Sequence, residues 1–89
     1  MQRDWVVSPA YRTAIAAIKS AKTVKGLSQR ELARRLGKPP SFVNKIELLE
    51  RRLDILEFIR LAEAMDLSPR ELLDIVTLAV QQGNEPMPD

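Results

Sequence analysis

Within six consecutive residues, Pro40, Ser41, Asn44 and Lys45 bring together a fixed backbone torsion, a hydroxyl, a carboxamide and an ammonium. On a helix advancing about 100° per residue these four share an arc of roughly 140° with Leu48, and Val43 and Ile46 fall opposite. One side of such a helix belongs to a core and the other is presented. Hydroxyl, amide and ammonium are the donor and acceptor types that meet base edges in a DNA major groove. The plainer roles are a helix-start hydrogen bond for Ser41 and solvation for Asn44 and Lys45. Composition narrows the rest: the chain has no histidine and no cysteine. Imidazole bases, thiolate nucleophiles, disulfides and the commonest zinc ligands are therefore absent. Twelve carboxylates with no glycine-rich phosphate loop form no catalytic constellation. The expectation is a protein that is not an enzyme, with no cofactor, no metal and no evident small-molecule substrate.

A polar arc binds a polyanion only with positive charge behind it. The formal net charge is +2, but it is unevenly spread. Residues 1–25 carry +4, residues 26–52 carry +4, and residues 53–89 carry −6. A basic half releases condensed counterions when its cations neutralise phosphates. An interleaved, well-mixed surface remains the alternative on charge alone.

The elements that must position this arc are legible from caps and stops. At 89 residues, 45% apolar and 29% charged, the chain has the size and composition of one globular domain. No stretch alternates with period 2 for long, so the class is all-α. Ser8-Pro9 starts a first helix whose apolar positions recur from Tyr11 to Ala21, and Gly26 stops it. Ser28 with Glu31 forms a capping box for a short second helix closed by Gly37. Lys38-Pro39-Pro40 ends one helix and starts another, which should run through Val43 and Ile46 to about 48–50. Asp54 with Glu57, and Ser68-Pro69 with Glu71, repeat the box before a fourth and a fifth helix. The fifth spans about 69–82 and stops at Gly83. The expected architecture is a compact five-helix bundle over 1–83 with a mobile tail at 84–89. No secretory signal is evident at the N-terminus, and the apolar run 72–80 is far short of the roughly 20 residues a bilayer crossing needs. No membrane association is expected, and a cytoplasmic location is the default.

The run Leu27 to Glu47, L-S-Q-R-E-L-A-R-R-L-G-K-P-P-S-F-V-N-K-I-E, followed by L-A-E-A-M-D-L-S-P-R-E-L-L at 61–73, resembles the phage-repressor-like helix-turn-helix family of Cro or xenobiotic-response-element type. The resemblance spans about residues 11–75, with the helix-turn-helix core at 28–48. It implies a lambda-repressor-like domain that binds double-stranded DNA as a transcriptional regulator, commonly dimeric and most often a repressor, in bacteria or phages. Residue by residue, it implies base reading by Pro40, Ser41, Asn44 and Lys45, with Asn44 able to pair with adenine. It implies phosphate contacts from Gln29 at a helix N-terminus and from Lys38. It also implies a Lys22–Glu47 ion pair as scaffold, weaker than the family's usual arginine pair because a lysine cannot fork. Phe42 is expected to pack on the second helix rather than to touch a thymine methyl.

Three departures from the family pattern carry consequences. Proline stands at 40 where a polar residue is usual, so reading leans on Ser41, Asn44, Lys45 or DNA shape. Leu49 replaces a glycine, and left-handed torsions cost a side chain roughly 1–2 kcal/mol, which predicts that the third helix runs on past Leu49. Leu53 replaces a loop proline, preceded by Arg51 and Arg52, both expected on phosphates. The fifth helix is apolar around most of its circumference, which usually means burial all round. A second copy covering Leu72, Ile75, Val76, Leu78 and Ala79 is the expected device, giving a homodimer. The alternatives are that Trp5, Val6 and Val7 fold back over this helix, or that the protein is an antitoxin or interaction module whose fifth helix docks a protein partner.

Overall fold

A serine or aspartate whose side chain accepts from a backbone N–H three residues on satisfies one of the four orphan donors at a helix start. In the computed structural model, which describes residues 8–82, four of the five helices begin this way. Ser8 precedes α1 (Pro9–Val24), Ser28 precedes α2 (Gln29–Leu36), Asp54 precedes α4 (Ile55–Ala64) and Ser68 precedes α5 (Pro69–Gln81). The exception is α3 (Pro40–Glu47), whose N-cap Pro39 has no side chain able to cap. Pro40 at its first position removes one of the donors that would need it.

The reciprocal half of the capping box forms at α4 and α5 but not at α2. Glu57 and Glu71 reach back to the N–H of Asp54 and Ser68. Glu31 instead turns its carboxylate outward to Arg34 and Arg35, one turn along the helix, because two guanidinium partners outbid one amide.

The third helix does not run past Leu49. It ends at Glu47, and Leu49 takes φ 63° in the left-handed region. The Leu49 N–H donates to the Ile46 carbonyl at 3.1 Å and the Glu50 N–H to that of Lys45 at 2.8 Å, a Schellman closure that satisfies two orphan carbonyls. The Leu49 side chain packs against the core, which offsets the torsional cost. Asp66 closes α4 in the same way at φ 62°, where Gly26 and Gly37 do so for α1 and α2.

The core gathers side chains from all five helices: Ile15 and Ile18 of α1, Leu32 and Ala33 of α2, Val43 and Ile46 of α3, Leu61 and Ala62 of α4, and Leu72 of α5. Leu32, Met65 and Leu72 are its largest fully buried members. α1 lies along α5, α2 packs on α3 and α4, and α4 touches α5. No strand is present among the described residues, and no helix among them is long and apolar enough to cross a membrane. The expected stop at Gly83, the tail at 84–89 and the segment with Trp5, Val6 and Val7 lie outside the described residues.

The fifth helix is not buried all round within the chain. Leu72 is 0% exposed in the core, so it has no surface to offer a second copy, which corrects its place in the expected interface. Val76 and Ala79 are half-buried, while Leu73, Ile75 and Leu78 remain exposed.

Candidate nucleic-acid interface

Gly37 sits at φ 71°, a torsion that suits the residue without a Cβ and that lets the chain leave α2 sharply. Lys38 and the extended Pro39 then deliver α3 onto α2. Val43 and Ile46, 2% and 3% exposed, hold one side of α3 in the core. On the other side Pro40, Ser41 and Lys45 are exposed and Asn44 is half-buried. The arc read from the spacing is thus an outward face, continued by the half-exposed Leu48 at the helix end.

Beneath that face runs a buried polar chain. Lys22 of α1 lies 2.8 Å from Glu47 Oε2, with both side chains only 7% exposed. Gln29 Nε2 donates to Glu47 Oε1 at 2.7 Å and to Asn44 Oδ1 at 3.2 Å. Three helices are therefore tied at one point, and no buried side-chain polar atom lacks a partner among the described residues. The expected Lys22–Glu47 pair forms. Gln29, expected on a phosphate, has its amide nitrogen committed to α3.

The α3–α4 connection is braced rather than open. Arg51 forks onto Glu57, each guanidinium nitrogen 3.0 Å from one carboxylate oxygen, and also donates to the Arg52 carbonyl. Its guanidinium stands 4.8 Å from the Phe42 ring centroid, and the Lys38 ammonium stands over the same ring at 5.3 Å. The Tyr11 hydroxyl accepts from the Leu53 N–H at 3.2 Å, fastening the loop to α1. Arg51, expected on a phosphate, is thus engaged by Glu57, with its side chain 37% exposed. Its sequence neighbour Arg52 is exposed, as is Lys38. Phe42 is half-buried against the core, as expected.

The positive charge available to a polyanion is smaller than the chain's count of cations. Of the seven basic residues in 26–52, Arg34, Arg35 and Arg51 lie on carboxylates. Arg35 also reaches Asp66 and the Ala64 carbonyl on α4. Hydrogen bonds from Arg34 and then Arg35 pull the Glu31 carboxyl down from 4.5 to about 2. The Arg51 fork likewise lowers Glu57, opposed by its partial burial, and Glu57 in turn raises Arg51. Arg30, Lys38 and Lys45 stay exposed beside the α2–α3 face.

Spacing found the outward arc but neither the Gln29 amide bridge nor the Phe42 cation stack. Gln29 and Asn44 are 15 residues apart, and Arg51 reaches across a loop to Glu57 with no helical spacing to signal it.

A helix-turn-helix family model matches residues 18–72, more than half of the chain. Among solved structures the chain is similar to an XRE-family like protein from Pseudomonas syringae pv. tomato strain DC3000. The two are 38% identical, with a TM-score of 0.71 over 78% of this chain and 84% of that one. No curated protein matches.

Proposed function

The chain belongs to the XRE-type helix-turn-helix family of DNA-binding transcription regulators, and from that premise we propose that it is a repressor that inserts α3 into the major groove as a homodimer. The observation that carries the reading is the two-sidedness of α3, with Val43 and Ile46 sealed in the core while Ser41 and Lys45 are exposed and Asn44 is half-buried between them and Gln29. Ser41, Asn44 and Lys45 read bases, with Pro40 shaping the helix entry. Lys38 and Arg52 contact phosphates, and Gln29 orients the reading face from behind.

A dimer places two copies of α3 about 34 Å apart on one side of the duplex, so the operator is a palindrome. The surface that supports pairing is the apolar face of α5 with the neighbouring side of α1. Ile75, Leu78 and Ala79 line a groove of about 580 Å³ with Ala16, Ala17 and Val24. An apolar patch of this kind on so small a protein calls for a partner, and an identical copy meets it with a two-fold axis. Occupying promoter DNA then excludes polymerase.

The test is fluorescence anisotropy with the DNA upstream of the gene at several salt concentrations, on wild type, Lys45→Ala and Lys38→Ala/Arg52→Ala. Lys45→Ala changes sequence preference, while the double variant weakens all DNA alike and flattens the salt slope by about two. Equal binding by all three proteins overturns the assignment. Sedimentation at micromolar concentration should give twice the chain mass. A single-chain mass would reassign the α5 face to a different protein partner.

A further inference from the structure

A carboxamide has a donor end and an acceptor end, so the end that faces outward decides what it reads. In this protein the orientation of Asn44 follows from a buried cation. Lys22, an ammonium with donors only, engages Glu47 Oε2 at 2.8 Å where both side chains are almost fully enclosed. The carboxylate paired with it can only accept. Its other oxygen lies 2.7 Å from the Gln29 amide, so Gln29 must turn its NH2 end inward to Glu47. That same nitrogen is 3.2 Å from Asn44, which must answer with its carbonyl oxygen. With its oxygen on Gln29, the Asn44 carboxamide has its NH2 on the other branch, and helical position sets the exposed Ser41 and Lys45 on the side of Asn44 opposite Glu47.

We propose that Asn44 is a donor-only reader that selects guanine and rejects cytosine, with Gln29 as the residue that sets its polarity. This rests on the reading of α3 as a major-groove helix. Guanine offers two adjacent acceptors, N7 and O6, to an outward NH2, whereas cytosine offers the N4 donor. Adenine pairs with asparagine bidentately only if the carbonyl oxygen also faces the base. In this protein that oxygen is turned to Gln29.

The experiment is selection of bound duplexes from a random library, followed by anisotropy with each of the four bases at the position whose preference disappears in Asn44→Ala. Wild type should favour guanine over cytosine by about tenfold, and over adenine by about threefold. Gln29→Met keeps the length of the side chain but removes the amide, and adenine should rise to within about twofold of guanine. Asn44→Asp keeps an acceptor for Gln29 and presents a second one outward, so preference should invert to cytosine. Replacing the guanine by 7-deazaguanine removes one acceptor without altering the protein, and should weaken wild-type binding several-fold. Thermal melts by circular dichroism establish that the three variants fold, and the modified base gives a result even if one does not. Adenine preferred by wild type, or a base preference unchanged in Gln29→Met, overturns the polarity assignment while leaving DNA binding standing. Wild type that selects no duplex overturns the DNA-reading helix and this inference together.

Discussion

Replacing Lys22 by methionine tests the buried chain that holds α3 in place. The pair is almost fully enclosed, with Glu47 bonded to Lys22 through one oxygen and to Gln29 through the other. Removing one partner of a buried ion pair costs about 3–5 kcal/mol, because the remaining charge is stranded out of water. Glu47 keeps the hydrogen bond from Gln29, so the lower end, about 3 kcal/mol, is expected. Total stability for a domain of this length is roughly 4–13 kcal/mol, so the loss is a large fraction of it. At about 4–8 °C per kcal/mol for small domains, Lys22→Met should lower Tm by about 12–24 °C. Lys22→Met/Glu47→Leu removes both charges and should recover to within about 1 kcal/mol of wild type. Urea denaturation followed by circular dichroism gives all the values on one scale, with Glu47→Leu completing the cycle. Costs that simply add, or a Lys22→Met loss below about 1 kcal/mol, would refute the picture of a desolvated pair.

Leu49→Gly should be more stable than Leu49→Ala by about 1 kcal/mol in thermal melts, the reverse of the order in a helix interior, because alanine keeps the left-handed strain and glycine does not. Stability should be insensitive to Glu31 above pH 4.5 and fall below it: its carboxyl is lowered from 4.5 unfolded to about 2 folded, so its contribution is present above the first value and lost as pH drops toward the second. Glu57 is lowered by Arg51 and acts in the same direction, so Glu57→Gln should flatten the acid limb of a pH series of melts. Arg51→Ala should cost about 1 kcal/mol of stability, since its pair is partly exposed and screened, and leave the salt slope of DNA binding unchanged. Ile75→Glu/Leu78→Glu should give a folded single-chain species by sedimentation and weaken operator binding at least tenfold, because one copy engages one half-site.

The chain by itself determined where the helices start. Ser8, Ser28, Asp54 and Ser68 each cap within three residues, an interaction short enough that no tertiary structure is needed to form it. Helical periodicity alone likewise separated Val43 and Ile46 from Ser41, Asn44 and Lys45, since position around a helix follows from residue number. Only the tertiary structure decided the fate of groups with several available partners. Arg51 lay within reach of either a phosphate or Glu57, and the folded loop brings the carboxylate to it. Glu31 had both its own cap and two arginines, and the arginines hold it. Leu49 opposed its own torsional preference because two backbone hydrogen bonds and a place against the core outweighed it. The Lys22–Glu47–Gln29–Asn44 chain joins residues up to 25 positions apart on three helices, and its hydrogen-bond polarity exists only once those helices are packed. Local interactions act before the fold and can be read along the chain, whereas the choice among long-range partners is made by the packing itself.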